Sequence, residues 1–268
     1  MEKPDIQKLK ALELDLLKAF IAVCEKHDLL YFLVEGSALG AVRHGGFIPW
    51  DDDIDVAMPR EDYEKFLAVA QADLPEGLFL QTNETDPAYV TGFAKIRNSN
   101  TAFIETSARK LAINHGVYLD IFVLDGCNNF AATKKKTKLL QARIASRFLV
   151  KRSLKGRMVQ FVAAIRYPSV ARAVRLLETI HRAGPYATAE NVVNYGSAWG
   201  KKEVMPREIY GKGVLGSFEG VPVRLPEKVD EYLTRLYGDY MTPPPPEKQV
   251  SHHNCDVIDL ERSYKEYV

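Results

Sequence analysis

The sequence predicts an α+β fold, a mixed β-sheet flanked by helices and extended by a basic helical lobe. Three patterns predict it. Leu9, Leu12, Leu16, Phe20 and Val23 recur at helical spacing across residues 5–27, with Lys and Glu between them. Four short β-type runs crowd between Leu78 and Val123. Between Asp125 and Glu178 there is no acidic residue, and thirteen Lys or Arg are interleaved there with apolar residues at helical intervals.

Taken in order, the helix at 5–27 is core packing. An apolar run, Leu29 to Val34, is long enough for one buried strand and ends at Gly36. Ser37 opens a short helical segment, Ala38 to His44, closed by the turn residues Gly45 and Gly46. Asp53-Ile54-Asp55-Val56 alternates with the period of a strand, so Ile54 and Val56 face a core and the two aspartates share the other face. Pro59 ends that strand, and Arg60 to Ala72 forms an amphipathic helix with Tyr63, Phe66 and Leu67 inward. Leu74–Gly77 is a loop. The β-type runs are Leu78–Gln81, Gly92–Arg97, Ala102–Glu105 and Val117–Val123, and Asp125 beyond the last of them reads as a turn residue. The basic interval predicts a pair of helices. Beyond Gly184-Pro185 the chain is rich in Tyr and Gly, then gives a hairpin turning at Gly220 and a helix from Glu227 to Leu236. Pro243–Pro246 is extended, and the polar end of the chain is expected to be loosely held.

The chemistry concentrates between Val34 and Met58. Carboxylates two apart on a strand lie about 6.6 Å from one another. At an effective dielectric of about 20 they repel by roughly 2.5 kcal/mol. With Asp51 and Asp52 adjacent, the group calls for a positive charge over it, and a divalent cation supplies one. Asp51, Asp53 and Asp55 begin like a calcium loop, but Val56 and Asp62 stand where that loop needs Gly and Glu. Mg²⁺ or Mn²⁺ suits the pattern better, taking a few carboxylates and completing its shell with water and phosphates. Gly36 and Ser37 would hold a phosphate at the start of the short helix. Lys95 and Arg97 flank Ile96 and so share one strand face, a candidate phosphate clamp. Two solvated surface charges are the plainer reading of that pair. Asp120, set between Leu119 and Ile121, is costly to bury unpaired and makes a natural third metal ligand.

The stretch GSALGAVRHGGFIPWDDDIDVAMPREDYEKF resembles the LicD family of phosphocholine transferases, whose distant relatives include fukutin-related sugar-phosphate transferases. More broadly, Gly-Ser, a short helix and an Asp-x-Asp strand resemble the nucleotidyltransferase (polymerase β-like) fold. The likeness is dense over 35–66. It thins through Lys95–Arg97, Gly116–Asp125 and Leu236–Pro244, and residues 126–195 carry little of it. Ser37-Ala38 stands where the family more often has Thr-Leu, and serine keeps the hydroxyl. The resemblance implies a catalytic core at 1–125; the charge pattern gives a basic lobe at 126–185, and a C-terminal segment at 186–268 is expected to pack back on the core. It implies transfer of phosphocholine, or a related phospho-substituent, from a CDP-activated donor such as CDP-choline to a hydroxyl of a cell-surface glycan, lipopolysaccharide or teichoic acid precursor. Asp53, Asp55 and Asp120 would be the catalytic metal ligands, with Asp120 also placed to take the acceptor hydroxyl's proton, and Gly36, Ser37, Arg43, Lys95 and Arg97 would bind substrate.

Two other readings stay open. One is a nucleotidyltransferase that places a nucleoside monophosphate on a small molecule. The other is an inactive binding module on a membrane surface, using the basic residues of 134–175. A solvated lobe explains that interval equally well. Trp199 and Tyr195 are candidates for an aromatic cage around choline, although packing explains such residues more often. His252 and His253 could reach the site or lie at the surface. A net charge of +1 and the absence of a nucleic-acid motif argue against a nucleic-acid partner. Cys24, Cys127 and Cys255 are too scattered for a disulfide framework. With no signal-like N-terminus and no membrane-length apolar run, the expected location is the cytoplasm, with peripheral contact at the inner membrane face. Asn83-Glu84-Thr85 is a glycosylation sequon without a secretory context.

Overall fold

The computed structural model describes residues 6–250 and 254–268. Helix α1 (Ile6–Lys26) buries Leu9, Leu16, Leu17 and Phe20 on one face, as its spacing requires. The first strand, β1, shrinks to Phe32–Leu33; Leu29 and Tyr31 before it are buried without joining the ladder. Helix α2 (Glu35–His44) starts earlier than expected, so Gly36 and Ser37 lie in its first turn and not ahead of it. Strand β2 (Asp55–Pro59) starts later, which leaves Asp53 in the segment that leads into the strand. Helix α3 (Arg60–Asp73) follows at once. Strands β3 (Leu78–Gln81), β4 (Ala94–Asn98) and β5 (Ala102–Glu105) match the expected runs closely.

Strand β6 (Val117–Gly126) is buried along its whole length and forms the axis of the sheet. The order is β1-β2-β6-β4-β3. β2 runs parallel to β6, with Asp55 opposite Asp120, and β4 runs antiparallel to it, with Lys95 also opposite Asp120. β7 (Asn191–Asn194) pairs with the end of β6 and with β8 (Met205–Pro206). Asp125 is therefore a strand residue and not part of a turn. Its two carboxylate oxygens each accept a 2.8 Å hydrogen bond from Arg60, one from Nε and one from Nη2.

The basic interval forms three helices where two were expected: α4 (Phe130–Ala145), α5 (Leu154–Arg166) and α6 (Val170–His181). Leu140 and Ile144 of α4 pack with Ala173, Val174 and Leu177 of α6 and with Val90 in a core of their own. After α7 (Arg207–Tyr210), β9 (Val214–Phe218) and β10 (Val221–Leu225) form the hairpin. It turns through Glu219 (φ 50°) and Gly220 (φ 77°), the backbone of a two-residue primed turn. Helix α8 (Val229–Tyr237) packs beside α2 and α7. The end of the chain is not loose. β11 (Cys255–Asp259) pairs antiparallel with β5, and the Tyr264 amide donates to the Thr101 carbonyl.

The Arg60–Asp125 pair joins α3 to the central strand with both side chains shielded from solvent. Burial pushes the Asp125 carboxyl up from its usual range and Arg60 pulls it back; two bonds at 2.8 Å hold the pair ionised. Removing Asp125 leaves buried Arg60 only its longer, 3.4 Å contact to half-exposed Glu178. Asp125→Ala is expected to lower unfolding free energy by about 3–5 kcal/mol in urea titration.

Candidate active site

Three chain segments build the site. Val34 donates its backbone N–H to the Asp55 carbonyl, which ties the start of α2 to the start of β2. Ser37 Oγ accepts the Asp55 N–H at 2.8 Å, a second clasp between the same segments. Glu35 takes a left-handed backbone, φ 47°, and its N–H donates to the Tyr232 hydroxyl at 3.0 Å. A non-glycine residue in that region is strained, and such residues cluster where function demands them. Gly36 is needed for close approach, because a Cβ there would sit 2.7 Å from Asp51 Oδ2.

These segments floor a cavity of about 580 Å³. Glu35, Gly36, Asp51, Asp53 and Asp55 line it together with Arg43, Trp50, Trp199, Tyr237 and Tyr240, and Asp239 and Lys248 complete its charged lining. The Trp199 and Tyr237 rings meet in a T-shaped contact at 4.8 Å between centroids, and the Arg43 guanidinium lies 6.0 Å from the Trp50 ring. Arg43 also donates to the Tyr240 carbonyl at 2.7 Å, which links α2 to the stretch after α8.

The electrostatics are strongly negative. Burial, then Asp53, Glu35, Asp120 and Asp51, hold the Asp55 carboxyl well above the usual carboxylate range. Burial pushes Glu35 up to about 7, with Asp120 adding to the rise and hydrogen bonding from Ser197 opposing it. Burial lifts Glu203 to about 8, and Glu35 adds to it. Glu13 on α1 is raised by burial first and then by Asp53, Asp52 and Asp51, and its Oε2 is buried with no hydrogen-bond partner among the described residues. Each desolvated carboxylate makes its neighbours harder to ionise.

The expected residues separate into those at the cavity and those away from it. Asp53, Asp55, Gly36 and Arg43 line it. Ser37 lies beneath it, buried against the Asp55 amide. Asp120 stands opposite Asp55 in the parallel register, about 4.8 Å away between strands. Its carboxylate, however, is ion-paired with Lys95 Nζ at 2.6 Å. That ammonium also sits 3.3 Å from the centroid of the Tyr118 ring. Lys95 is thus turned to Asp120 and Tyr118, and Arg97 is fully committed to the interior. Arg97 donates to Gln81 Oε1 and to the Gly116 carbonyl, both at 2.8 Å, and stacks on Tyr118. The expected phosphate clamp is a structural brace at Arg97, because a guanidinium with buried acceptors on both sides is held inside the fold. Tyr195 is not beside Trp199; it stacks on His181 at 4.1 Å, away from the cavity. His252 and His253 lie outside the described residues.

The donor set suits a hard divalent cation in kind: carboxylate oxygens only, desolvated and mutually repelling. It is not assembled as a three-ligand group. Among the described residues no three acidic, His or Cys side chains converge to hold an ion, and Lys95 holds Asp120. Sequence reasoning missed Glu35, Glu203 and Tyr237. Glu35 alone carried a local signal, a carboxylate ending a buried apolar run.

The mixed sheet, the short helix over the first strands and the acidic edge define a nucleotidyltransferase-like fold. The domain profile of LicD/FKTN/FKRP, nucleotidyltransferase domain, matches residues 28–160. The chain is 31% identical over 267 residues to the lipopolysaccharide cholinephosphotransferase LicD of Haemophilus influenzae, covering 94% of this chain and 97% of that protein. It is 48% identical over 42 residues to the human and mouse ribitol 5-phosphate transferase FKRP, which is 16% of this chain and 8% of FKRP. The chain belongs to the LicD family.

Raised carboxyls bind protons more tightly in the fold than in the unfolded chain. Their contribution to stability is therefore present at low pH and is lost as pH rises through the folded values of about 7 and 8. Thermal unfolding without added cation is expected to shift several degrees lower between pH 5.5 and pH 8.5. Glu203→Gln, which keeps an acceptor for Ser197, should flatten that slope; an unchanged slope would remove Glu203 from the cluster.

Proposed function

We propose that this enzyme transfers phosphocholine, or a closely related phospho-substituent, from a CDP-activated donor to a hydroxyl of a glycan such as a lipopolysaccharide or teichoic acid precursor. One observation carries the reading: a single cavity combines an acidic floor at Asp51, Asp53 and Asp55 with aromatic walls at Trp50, Trp199, Tyr237 and Tyr240. Aromatic faces attract a quaternary ammonium, and desolvation strengthens that attraction. The likeness to the Haemophilus influenzae cholinephosphotransferase over nearly the whole chain points the same way.

Asp53 and Asp55 would hold Mg²⁺ or Mn²⁺, with Asp120 available if Lys95 turns to a phosphate. A divalent cation there supplies charge neutralisation for the donor diphosphate and the leaving CMP. The chain's own residues do the rest. Arg43, which lines the cavity, offers a guanidinium to the donor phosphates. Trp199 and Tyr237 orient the trimethylammonium end. The glycan hydroxyl oxygen attacks the phosphorus of phosphocholine, the bridging P–O bond to CMP breaks, and a Glu35 carboxylate oxygen takes the hydroxyl proton. A carboxyl poised near neutrality suits that exchange, since it can accept and later release a proton at working pH. Lys95, ion-paired with Asp120 at 2.6 Å, offsets one negative charge beside the acidic residues of the cavity.

Turnover tests this directly. CMP release from CDP-choline in the presence of acceptor glycan is expected, with loss under EDTA and recovery on adding Mg²⁺ or Mn²⁺. Pyrophosphate release from a nucleoside triphosphate would instead mark nucleotide transfer, and full turnover under chelation would remove the metal assignment. Asp55→Asn should lower kcat by more than about a hundredfold, because even residues behind metal ligands are worth about 10–100-fold. Trp199→Ala should raise KM for CDP-choline about tenfold with a smaller change in kcat, in line with a desolvated cation–π contact.

A further inference from the structure

Helix α5 is the one helix of the basic lobe whose apolar residues point outward. Of its thirteen residues only Ala163 is buried. Leu154 is 82% exposed, Met158 67%, Phe161 68% and Ile165 67%. At 100° per residue these four positions fall within an arc of about 60°, on the side opposite Ala163. The stripe therefore faces directly away from the protein body. Val162 beside it and Leu149 and Val150 in the preceding loop are exposed too and widen the patch.

The charges around the stripe are all of one sign. On the same helical wheel Arg157 borders one side, and Lys155 and Arg166 border the other. Lys151 and Arg152 stand exposed just before the helix. No acidic residue occurs between Asp125 and Glu178 to balance them. The neighbouring helices α4 and α6 pack on each other in a closed core, so the α5 stripe is not part of the lobe's packing.

We propose that α5 is a membrane-docking helix that lies in the headgroup region of an anionic lipid surface. Its apolar stripe enters the acyl boundary, while Lys151, Arg152, Lys155, Arg157 and Arg166 meet lipid phosphates. An apolar face bordered by basic residues is the pattern that binds such surfaces, with both parts contributing. A second copy of the chain is a poorer occupant, because face-to-face α5 helices would bring like charges together. A lipid surface also needs no bilayer-spanning segment, and no described helix is long and apolar enough to cross a membrane. The inference does not depend on which group the cavity transfers.

Flotation of the full chain with vesicles tests it, without turnover. Binding is expected to vesicles containing phosphatidylglycerol, to weaken in high salt, and to be slight on pure phosphatidylcholine. Phe161→Glu/Ile165→Glu should reduce partitioning by more than about tenfold, since it removes two inserting side chains and adds repulsion. Both positions are exposed, so its thermal unfolding and circular dichroism should match the unaltered chain. Equal flotation of that variant would overturn the proposal. So would failure of the unaltered chain to float with phosphatidylglycerol vesicles, or stripe-dependent dimerisation seen by light scattering without lipid binding.

Discussion

The pairing of β2 with β6 in parallel is the constraint on which the site depends. It brings Asp55 and Asp120, 65 positions apart in the chain, to facing positions on neighbouring strands. Antiparallel β4 then sets Lys95 against Asp120 from the other side. Two hydrogen bonds, Val34 N–H to the Asp55 carbonyl and the Asp55 N–H to Ser37 Oγ, lock the end of β1 and the start of α2 to the same point. The carboxylates are crowded because the backbone leaves them no other place.

That crowding opposes stability. Glu13, Glu35, Asp55 and Glu203 are all raised, with burial as the leading cause and neighbouring carboxylates adding to the rise. The cation proposed above would relieve repulsion already present in the fold. The strained Glu35 backbone belongs to the same economy, held in place by Tyr232 from α8. Lys95 partly offsets the charge by taking Asp120, and the face of Tyr118 steadies its ammonium.

The cavity walls come from far along the chain. Trp199 follows β7, the strand that extends the sheet along β6, and Tyr237 ends α8. Arg43 on α2 bonds the Tyr240 carbonyl and so ties the acidic floor to that wall. The lobe is organised differently. α4 and α6 close their own small core, and α5 is left outboard with its apolar face to solvent.

The sequence by itself determined the kinds of group present and the local elements that carry them. Helical spacing placed α1 and α3, alternation marked the strands, and the Glu-Gly pair before the hairpin's second strand fixed its turn. The acid-rich stretch and its likeness to the LicD family were legible for the same reason: they depend on residues close together in the chain. Partners distant in sequence were decided by tertiary structure alone. Asp125 looks like a turn residue by sequence, and only the fold sets Arg60 beside it; Arg97 looks like a clamp, and only the fold encloses it between Gln81 and the Gly116 carbonyl. The tail read as loose because its order comes from β5, about 150 residues earlier in the chain. No local pattern reports which face of α5 is covered, since a helix with apolar residues on both sides looks buried until its neighbours are known.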